Sequence, residues 1–196
     1  MPTPHWDRPV TFAISGPPAA ERAELQAQGQ QLGAVYQQVL NHSVTHLVSD
    51  TVLSAKYLAA VSNQMPVVHP DWVRASATRG ALQPEASYLL PPFYGLTVVV
   101  TGDGFTHEVR DHIARTVADL GGTLAPQLTF ECTHLVAESV KASEKLLACC
   151  ANSQLAHIRV VSCAWLEACM RTGVCVEDGP YLMTRFEPCL SSCVLA

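Results

Sequence analysis

The sequence is poor in charged residues, and the charges that it has are not mainly positive. Only 15% of its 196 residues are Asp, Glu, Lys or Arg, and the formal net charge is −5. Proteins that bind duplex DNA usually carry a basic excess, because many of their contacts go to phosphates. DNA is therefore not expected as the main direct ligand. Since 48% of the residues are hydrophobic, the chain can bury the core of one large or two small domains.

Long apolar runs are absent too. No stretch of about 18 apolar residues could cross a membrane, and the first residues, MPTPHWDRPV, lack the basic and apolar parts of a signal peptide. The last residues, CVLA, fit a prenylation motif only if Ala196 is the natural end, and no basic run precedes them. We expect no membrane attachment, and we expect the chain to be a fragment of a longer protein.

No cysteine precedes Cys132, although the chain has eight. This distribution does not suit a secreted disulfide scaffold. No CxxC pair occurs, and Cys189 and Cys193 have no nearby histidines with which to form a zinc site. We expect most of the cysteines to be small buried hydrophobic residues, and we expect no metal and no cofactor.

Motifs of catalytic sites are missing as well. The sequence has no GK(S/T) of a phosphate-loop NTPase and no GxSxG nucleophile elbow. TGDGFTH, which begins at Thr101, approaches a dinucleotide-binding fingerprint, but His107 stands where glycine or alanine is needed for close helix packing. We therefore expect a protein that is not an enzyme.

What the sequence does contain is an internal repeat. SAKYLAAV, from Ser54, and SEKLLACC, from Ser143, are similar octapeptides with lysine in third position. THLV precedes both, an apolar run that ends in Ser-Gly or Thr-Gly lies further upstream, and a segment with VV and a tryptophan follows. Four landmarks thus recur in the same order, shifted by 86 to 93 residues. An ordered set of this kind indicates two copies of one structural unit.

Each repeat predicts the element order β-α-β-β-α-β-α in about ninety residues. VTFAIS and LTVVVT are apolar and rich in β-branched residues, as is typical of buried parallel strands, and THLV and the later PVV or RVV predict further strands. The segments between them have helical patterns. In the second repeat four apolar residues predict one buried helix face: Val109, Ile113, Val117 and Leu120.

Glycines and serines predict where the helices end and begin. Gly33 and Gly121 fit the left-handed position that follows a helix. Ser54 and Ser143 fit the N-cap of the second helix in each repeat. The stiff connector LLPPFYG places a domain boundary near Pro92. We predict an α/β protein of two domains, residues 1–92 and residues 93–196 with a C-terminal tail, each a small, mostly parallel four-stranded sheet flanked by helices.

A hydroxyl, a glycine and a lysine of each repeat should meet at one edge of its sheet. The end of the first strand and the start of the second helix lie at the carboxyl edge, where such sheets bind ligands. A hydroxyl, a glycine N–H and an ammonium group at a helix N-terminus suit a phosphate group. The predicted members are Ser15, Gly16 and Lys56 in the first repeat and Thr101, Gly102 and Lys145 in the second.

These landmarks resemble those of tandem BRCT domains. The strand that ends in (S/T)-G, the GG helix end, THLV, the lysine that opens the second helix and the tryptophan of the third helix all occur, over roughly residues 10–182. The pairing and the THLV-to-lysine spacing look most like the topoisomerase-II-binding checkpoint scaffolds. The resemblance implies a nuclear scaffold in the DNA-damage response, DNA repair or replication checkpoint. It also implies partner proteins that carry phosphoserine or phosphothreonine.

The resemblance implies the same six site residues and adds a basic residue seven places after the hydroxyl. Arg22 stands there in the first repeat, so it joins the predicted phosphate-binding set. In the second repeat that place holds an acid, Glu108, and Arg110 is out of step. The first pocket is therefore expected to be the better equipped of the two.

Each of these residues also has a structural interpretation. The lysines could be ordinary surface residues, and the hydroxyls could bond only to nearby backbone. We expect both lysines to be exposed, so that Lys56→Glu and Lys145→Glu leave the fold intact. The tryptophans of the third helices should lie in the cores, with the THLV histidines as structural residues. The alternative function is a BRCT pair that docks on proteins or DNA ends without reading phosphate.

Overall fold

The computed structural model describes residues 9–102, 105–138 and 143–183. They form two compact units, which separate between Gly95 and Leu96. The domain limits 1–92 and 93–196 stay a prediction of the sequence. The cysteine pair Cys189 and Cys193 and the CVLA motif lie outside the described residues.

The first unit has the predicted order of elements. Its bounds are β1 Thr11–Ser15, α1 Ala19–Gln31, β2 Val35–Tyr36, β3 His46–Ser49, α2 Ala55–Ser62, β4 Val67–Val68 and α3 Asp71–Arg79.

The second unit repeats this order. Its bounds are β5 Thr97–Thr101, α4 His107–Asp119, β6 Thr123–Leu124, β7 His134–Ala137, α5 Glu144–Ala151, β8 Arg159–Ser162 and α6 Cys163–Thr172.

Each unit contains one four-stranded sheet. The strand orders are β2-β1-β3-β4 and β6-β5-β7-β8, and all six pairings are parallel. The predicted fold class, two small parallel sheets flanked by helices, is confirmed. Because β1 and β3 are neighbours in the first sheet, as are β5 and β7 in the second, the loops at their carboxyl ends lie side by side.

Both cores are built around a tryptophan that stacks on a histidine. Trp72 and Trp165 are buried, as predicted. The ring of His46 lies 4.9 Å from that of Trp72, and the ring of His134 lies 4.5 Å from that of Trp165, nearly parallel to it. Burial lowers the pKa of both histidines, that of His134 to about 4. A neutral imidazole is thus part of each core.

The predicted buried face of α4 is confirmed at two of its four positions, and Leu120, which follows the helix, is half-buried. Ile113 and Val117 are buried, but Val109 is 40% exposed. Val109 is the third residue of its helix, and the third residue of α1 is Glu21, which forms an ion pair with Arg74 of α3. This helix position therefore lies at the solvent edge in both units.

Five cysteines can be placed in the second unit. Cys132, Cys149, Cys169 and Cys175 are buried and Cys163 is half-buried. Their burial agrees with the prediction of small hydrophobic residues. Within the described residues, no helix is both long and apolar enough to span a membrane.

Candidate anion-binding sites

The first candidate site lies where β1 ends and α2 begins. Ser15 is the last residue of β1, and its Oγ donates a hydrogen bond to Oγ of Ser54, at 2.9 Å. Lys56 is the second residue of α2, and its Nζ donates to the carbonyl oxygen of Ile14, at 3.0 Å. The predicted hydroxyl and lysine are thus brought together at the carboxyl edge of the sheet.

The second unit repeats this arrangement. Thr101 ends β5, and its Oγ1 donates to Oγ of Ser143, at 2.7 Å. Nζ of Lys145 donates to the carbonyl oxygen of Val100, at 3.0 Å. The two sites differ in access, because Thr101 is only 7% exposed whereas Ser15 is half-buried.

The serines that precede the two lysines belong to the sites as well. Ser54 and Ser143 cap their helices, as predicted, by accepting the N–H of Tyr57 and of Leu146. Each also accepts the hydroxyl of its strand end, so its own O–H is left to donate elsewhere. Sequence reasoning identified the caps but missed this second role. The signal for this role in the sequence is that a serine stands two residues before the lysine in both repeats.

A side chain would not fit at either glycine. Gly16 has φ +95°, and a Cβ on it would lie 1.7 Å from Oδ1 of Asp50. Gly102 has φ +148°, and a Cβ there would lie 2.7 Å from Cβ of Glu138. Left-handed backbone and lack of space both favour glycine, which keeps the backbone of the strand-to-helix turn open to a ligand.

An arginine accompanies each lysine. Nη2 of Arg22 donates to the carbonyl oxygen of Pro17, at 3.0 Å. Nη2 of Arg110 donates to that of Gly102, at 3.1 Å, and its Nε to that of Phe105. Each guanidinium therefore lies over the turn that follows the first strand of its unit.

Arg110, and not Glu108, occupies the helix position of Arg22. The first helix begins three residues after Gly16 (19 − 16) but five after Gly102 (107 − 102). Counting from the hydroxyl therefore leads to Glu108, whereas Arg22 and Arg110 are both the fourth residue of their helices. Counting from the start of the helix would have found Arg110 in the sequence.

The two lysines are half-buried, so the expectation of exposed lysines is wrong. Nζ of Lys56 bonds two carbonyl oxygens, of Ile14 and of Gln38, at 3.0 and 2.8 Å. A glutamate at position 56 would place a carboxylate next to these oxygens, which would repel it. The prediction that Lys56→Glu leaves the fold intact depended on an exposed lysine and therefore no longer has support. The same holds for Lys145, which bonds Val100.

The cations of each site repel one another. Burial lowers the pKa of the Lys56 ammonium, and the nearby Arg22 guanidinium lowers it further. Burial and Arg110 have the same effect on the pKa of Lys145. Within the described parts of the chain, none of the four forms an ion pair with an acid. An anion bound at either site would relieve this repulsion.

Lys56 also lines a groove of about 940 Å³ along α2. The groove runs between α2 and the loop that joins β2 to β3, and it continues to the start of β4. None of its lining residues is acidic, and the apolar ones include Val39, Leu40, Ala59 and Met65. The first candidate site thus opens onto an uncharged, partly apolar surface.

Comparison with protein families agrees with this architecture. A twin BRCT domain model matches residues 10–72, and a BRCA1 C Terminus (BRCT) domain model matches residues 90–170. The chain belongs to the BRCT family. The resemblance inferred from the repeat is therefore confirmed, with one BRCT domain for each repeat.

The chain is similar in sequence to parts of two much longer proteins. S-M checkpoint control protein rad4 of Schizosaccharomyces pombe is 28% identical over 127 residues, which is 60% of this chain and 19% of rad4. Human protein ECT2 is 28% identical over 115 residues, 55% of this chain and 12% of ECT2. The chain matches less than a fifth of either relative. The likeness to rad4 agrees with the expected resemblance to checkpoint scaffolds.

Solved structures of Rad4 BRCT1,2 share the fold. The complexes of that pair with a Crb2 phosphopeptide and with a Mdb1 phosphopeptide each match with a TM-score of 0.77 and 22% sequence identity. Each match covers 89% of this chain and 97% of the Rad4 chain. The tandem BRCT fold therefore extends over nearly all of this sequence.

Proposed function

We propose that this BRCT pair is a non-catalytic scaffold module that binds phosphoserine or phosphothreonine in peptides of partner proteins. The observation that carries the proposal is the pairing of Arg22 with Lys56, two cations held at the end of β1 without an acid partner among the described residues. A phosphate group supplies the missing negative charge and the acceptor oxygens.

The first domain would hold the phosphate with five groups, which are a lysine, an arginine, a backbone N–H and the two hydroxyls of Ser15 and Ser54. Lys56 has three N–H donors and uses two on carbonyl oxygens, so one is left for the ligand. Arg22, the N–H of Gly16 and the hydroxyls of Ser15 and Ser54, which are hydrogen-bonded to each other, would complete the set. A charge-assisted hydrogen bond contributes roughly 1.5–3 kcal/mol, so a few such bonds hold a phosphate but leave selectivity to other contacts.

The second domain would use the equivalent groups. Thr101, Gly102 and Lys145 were predicted for this site, and Arg110 joins them through its place over the turn. Lys145 uses one N–H on a carbonyl oxygen and has two left. We therefore propose two working pockets, although the hydroxyl of the second is the less accessible.

The groove along α2 would hold residues that flank the phosphate. It is continuous with the first pocket through Lys56, and its lining suits uncharged or apolar side chains. Burial of apolar side chains there would add affinity that does not depend on charge.

The relatives suggest the cellular setting. Rad4 is a checkpoint control protein, and its BRCT1,2 pair has been crystallised with phosphopeptides. We propose that the present chain acts in the nucleus, in DNA-damage or replication checkpoint control or DNA repair, and the likeness to a checkpoint control protein supports this proposal. Its ligands would be phosphorylated proteins, with DNA not the main direct ligand and no membrane attachment.

A binding measurement with paired peptides tests the proposal. Fluorescence anisotropy would compare a phosphoserine and phosphothreonine peptide library with its unphosphorylated counterpart, on the wild type, Lys56→Met and Lys145→Met. Methionine keeps the long apolar stem that is half-buried and removes the charge. Loss of one charge-assisted hydrogen bond at the working pocket should weaken phosphopeptide binding about 10- to 100-fold.

Arg79→Met is the control for the loss of a positive charge, because Arg79 is exposed at the end of α3. It should bind like the wild type. Equal binding of phosphorylated and unphosphorylated peptides by the wild type would contradict the proposal and favour a docking module that does not read phosphate.

A further inference from the structure

A carboxylate lies against the glycine of the first pocket. Asp50 follows β3 in the sequence THLVSD, and its Oδ1 fills the space that a Cβ on Gly16 would need, 1.7 Å from that position. The second repeat reads THLVAE, and Oε2 of Glu138 lies 2.8 Å from the Cβ position of Gly102. Both repeats therefore set an acid beside a proposed phosphate site.

The backbone that carries Asp50 is held in place on both sides. Ser49 is buried, and its Oγ donates to the carbonyl oxygen of Thr51, at 2.8 Å, and accepts the N–H of Thr51. Oγ1 of Thr51 then accepts the N–H of Leu53, at 3.2 Å. The turn between β3 and α2 is thus braced by its own side chains, and the carboxylate of Asp50 is presented from a fixed position.

The carboxylate of Asp50 makes no hydrogen bond or ion pair with any residue that the structure describes. Glu21, the acid that precedes Arg22 in α1, is already paired with Arg74. Asp50 is half-buried, so it is partly removed from solvent without gaining a partner. A site built only to hold phosphate gains nothing from such a charge, because like charges repel more strongly away from bulk water.

We propose that Asp50 selects phosphopeptides that carry a lysine or arginine close to the phosphorylated residue. This inference rests on the function proposed above. The phosphate would bind at Arg22 and Lys56, and the basic side chain would form an ion pair with Asp50 on the other side of Gly16. Successive residues of an extended chain are about 3.3–3.6 Å apart. A long basic side chain within two positions of the phosphorylated residue can therefore reach the carboxylate of Asp50.

The experiment is a binding cycle on the full chain. Fluorescence anisotropy would measure the affinity for variants of one phosphopeptide. Arginine, alanine or glutamate would be placed in turn at each of the two positions before and each of the two positions after the phosphorylated residue. The proteins would be the wild type and Asp50→Asn, both carrying Lys145→Met so that the first pocket alone is read. Asparagine keeps the shape of the side chain and removes the charge.

The Lys145→Met protein, which keeps Asp50, should bind the best-placed arginine peptide roughly two- to fivefold more tightly than the alanine peptide, as expected for a partly exposed ion pair. Asp50→Asn should lose this preference and still require phosphate. Asp50→Glu should restore part of it. The preference should shrink as the salt concentration rises, because salt screens partly exposed charges.

Glu24→Gln is the matched control. Glu24 is exposed on α1, two residues or about 200° round the helix from Arg22, so this variant should keep the arginine preference. Equal binding of arginine and alanine peptides by the Lys145→Met protein would overturn the role of Asp50 and leave phosphate reading intact. If Asp50→Asn gained affinity equally for all phosphopeptides, the role of Asp50 in selecting a basic residue would also be overturned. Binding that does not depend on phosphate would overturn both proposals.

Discussion

The ammonium group of Lys56 donates two of its three N–H groups to carbonyl oxygens of its own domain, those of Ile14 and Gln38. Lys145 is held in the same way by Val100. A ligand therefore meets a side chain whose position is already fixed, which lowers the entropy lost on binding. The sequence predicted both lysines at the site but not their burial, because two of the carbonyl oxygens that hold them, those of Ile14 and Val100, come from strands 42 and 45 residues earlier.

The histidines of THLV provide a prediction at this same scale. His134 is buried against Trp165, and desolvation lowers its pKa from 6.5 to about 4 in the folded protein. Between pH 6.5 and 4 the unfolded chain binds the proton and the folded chain does not. The stability that the neutral ring contributes is therefore present above pH 6.5 and is lost as the pH falls, by up to about 3 kcal/mol.

Urea unfolding of the second domain at several pH values measures this loss. The urea concentration at the midpoint of unfolding should decrease as the pH is lowered from 6.5 to 4. This dependence of the midpoint on pH should be clearly weaker in His134→Gln, whatever the absolute stability of that variant. An identical dependence in both proteins would show that another group is responsible.

At the scale of secondary structure, the sequence predicted the order of elements in both domains and the serine caps of α2 and α5. These depend on local patterns of apolar residues and on short-range hydrogen bonds. It failed where the register of a helix depends on the length of the preceding turn. The turn after Gly102 is two residues longer than the turn after Gly16, so Arg110 replaces Glu108 beside the site.

This register makes a prediction about the second pocket. In a Lys56→Met background, Arg110→Gln should weaken phosphopeptide binding about tenfold, as expected for one lost charge-assisted hydrogen bond. Glu108→Gln should leave binding unchanged or slightly improve it. Fluorescence anisotropy on the two variants shows whether Arg110 or Glu108 is the equivalent of Arg22. A larger effect of Glu108→Gln than of Arg110→Gln would favour Glu108, the residue seven places after the hydroxyl of Thr101.

At the scale of the whole molecule, the repeat extends further than its sequence landmarks. After α3, Leu89 forms an antiparallel bridge with Val68, and after α6, Leu182 forms the same bridge with Val161. The bridges are 93 residues apart (182 − 89), the same shift as the two tryptophans (165 − 72). The sequence alone assigns the first of these segments to the connector LLPPFYG, which begins at Leu89. Each domain thus closes with a short segment that follows its third helix.

The two proposed pockets on one chain predict avidity for doubly phosphorylated peptides. A peptide with two phosphorylated residues should bind roughly tenfold or more tightly than either singly phosphorylated form, at spacings that let both engage. Titration of peptides with increasing distance between the phosphates should show an optimum. Lys56→Met and Lys145→Met should each abolish the gain, and a gain that survives in either variant would contradict two-site binding.

The stacking of each core tryptophan on an imidazole also makes the protein its own optical probe. The indoles of Trp72 and Trp165 lie 4.9 and 4.5 Å from the histidine rings, so separation of either stack changes the surroundings of one emitting group. With three tryptophans in the chain, Trp72→Phe and Trp165→Phe would each leave one core indole. Intrinsic fluorescence could then follow the opening of one domain at a time in the intact chain, without any attached dye.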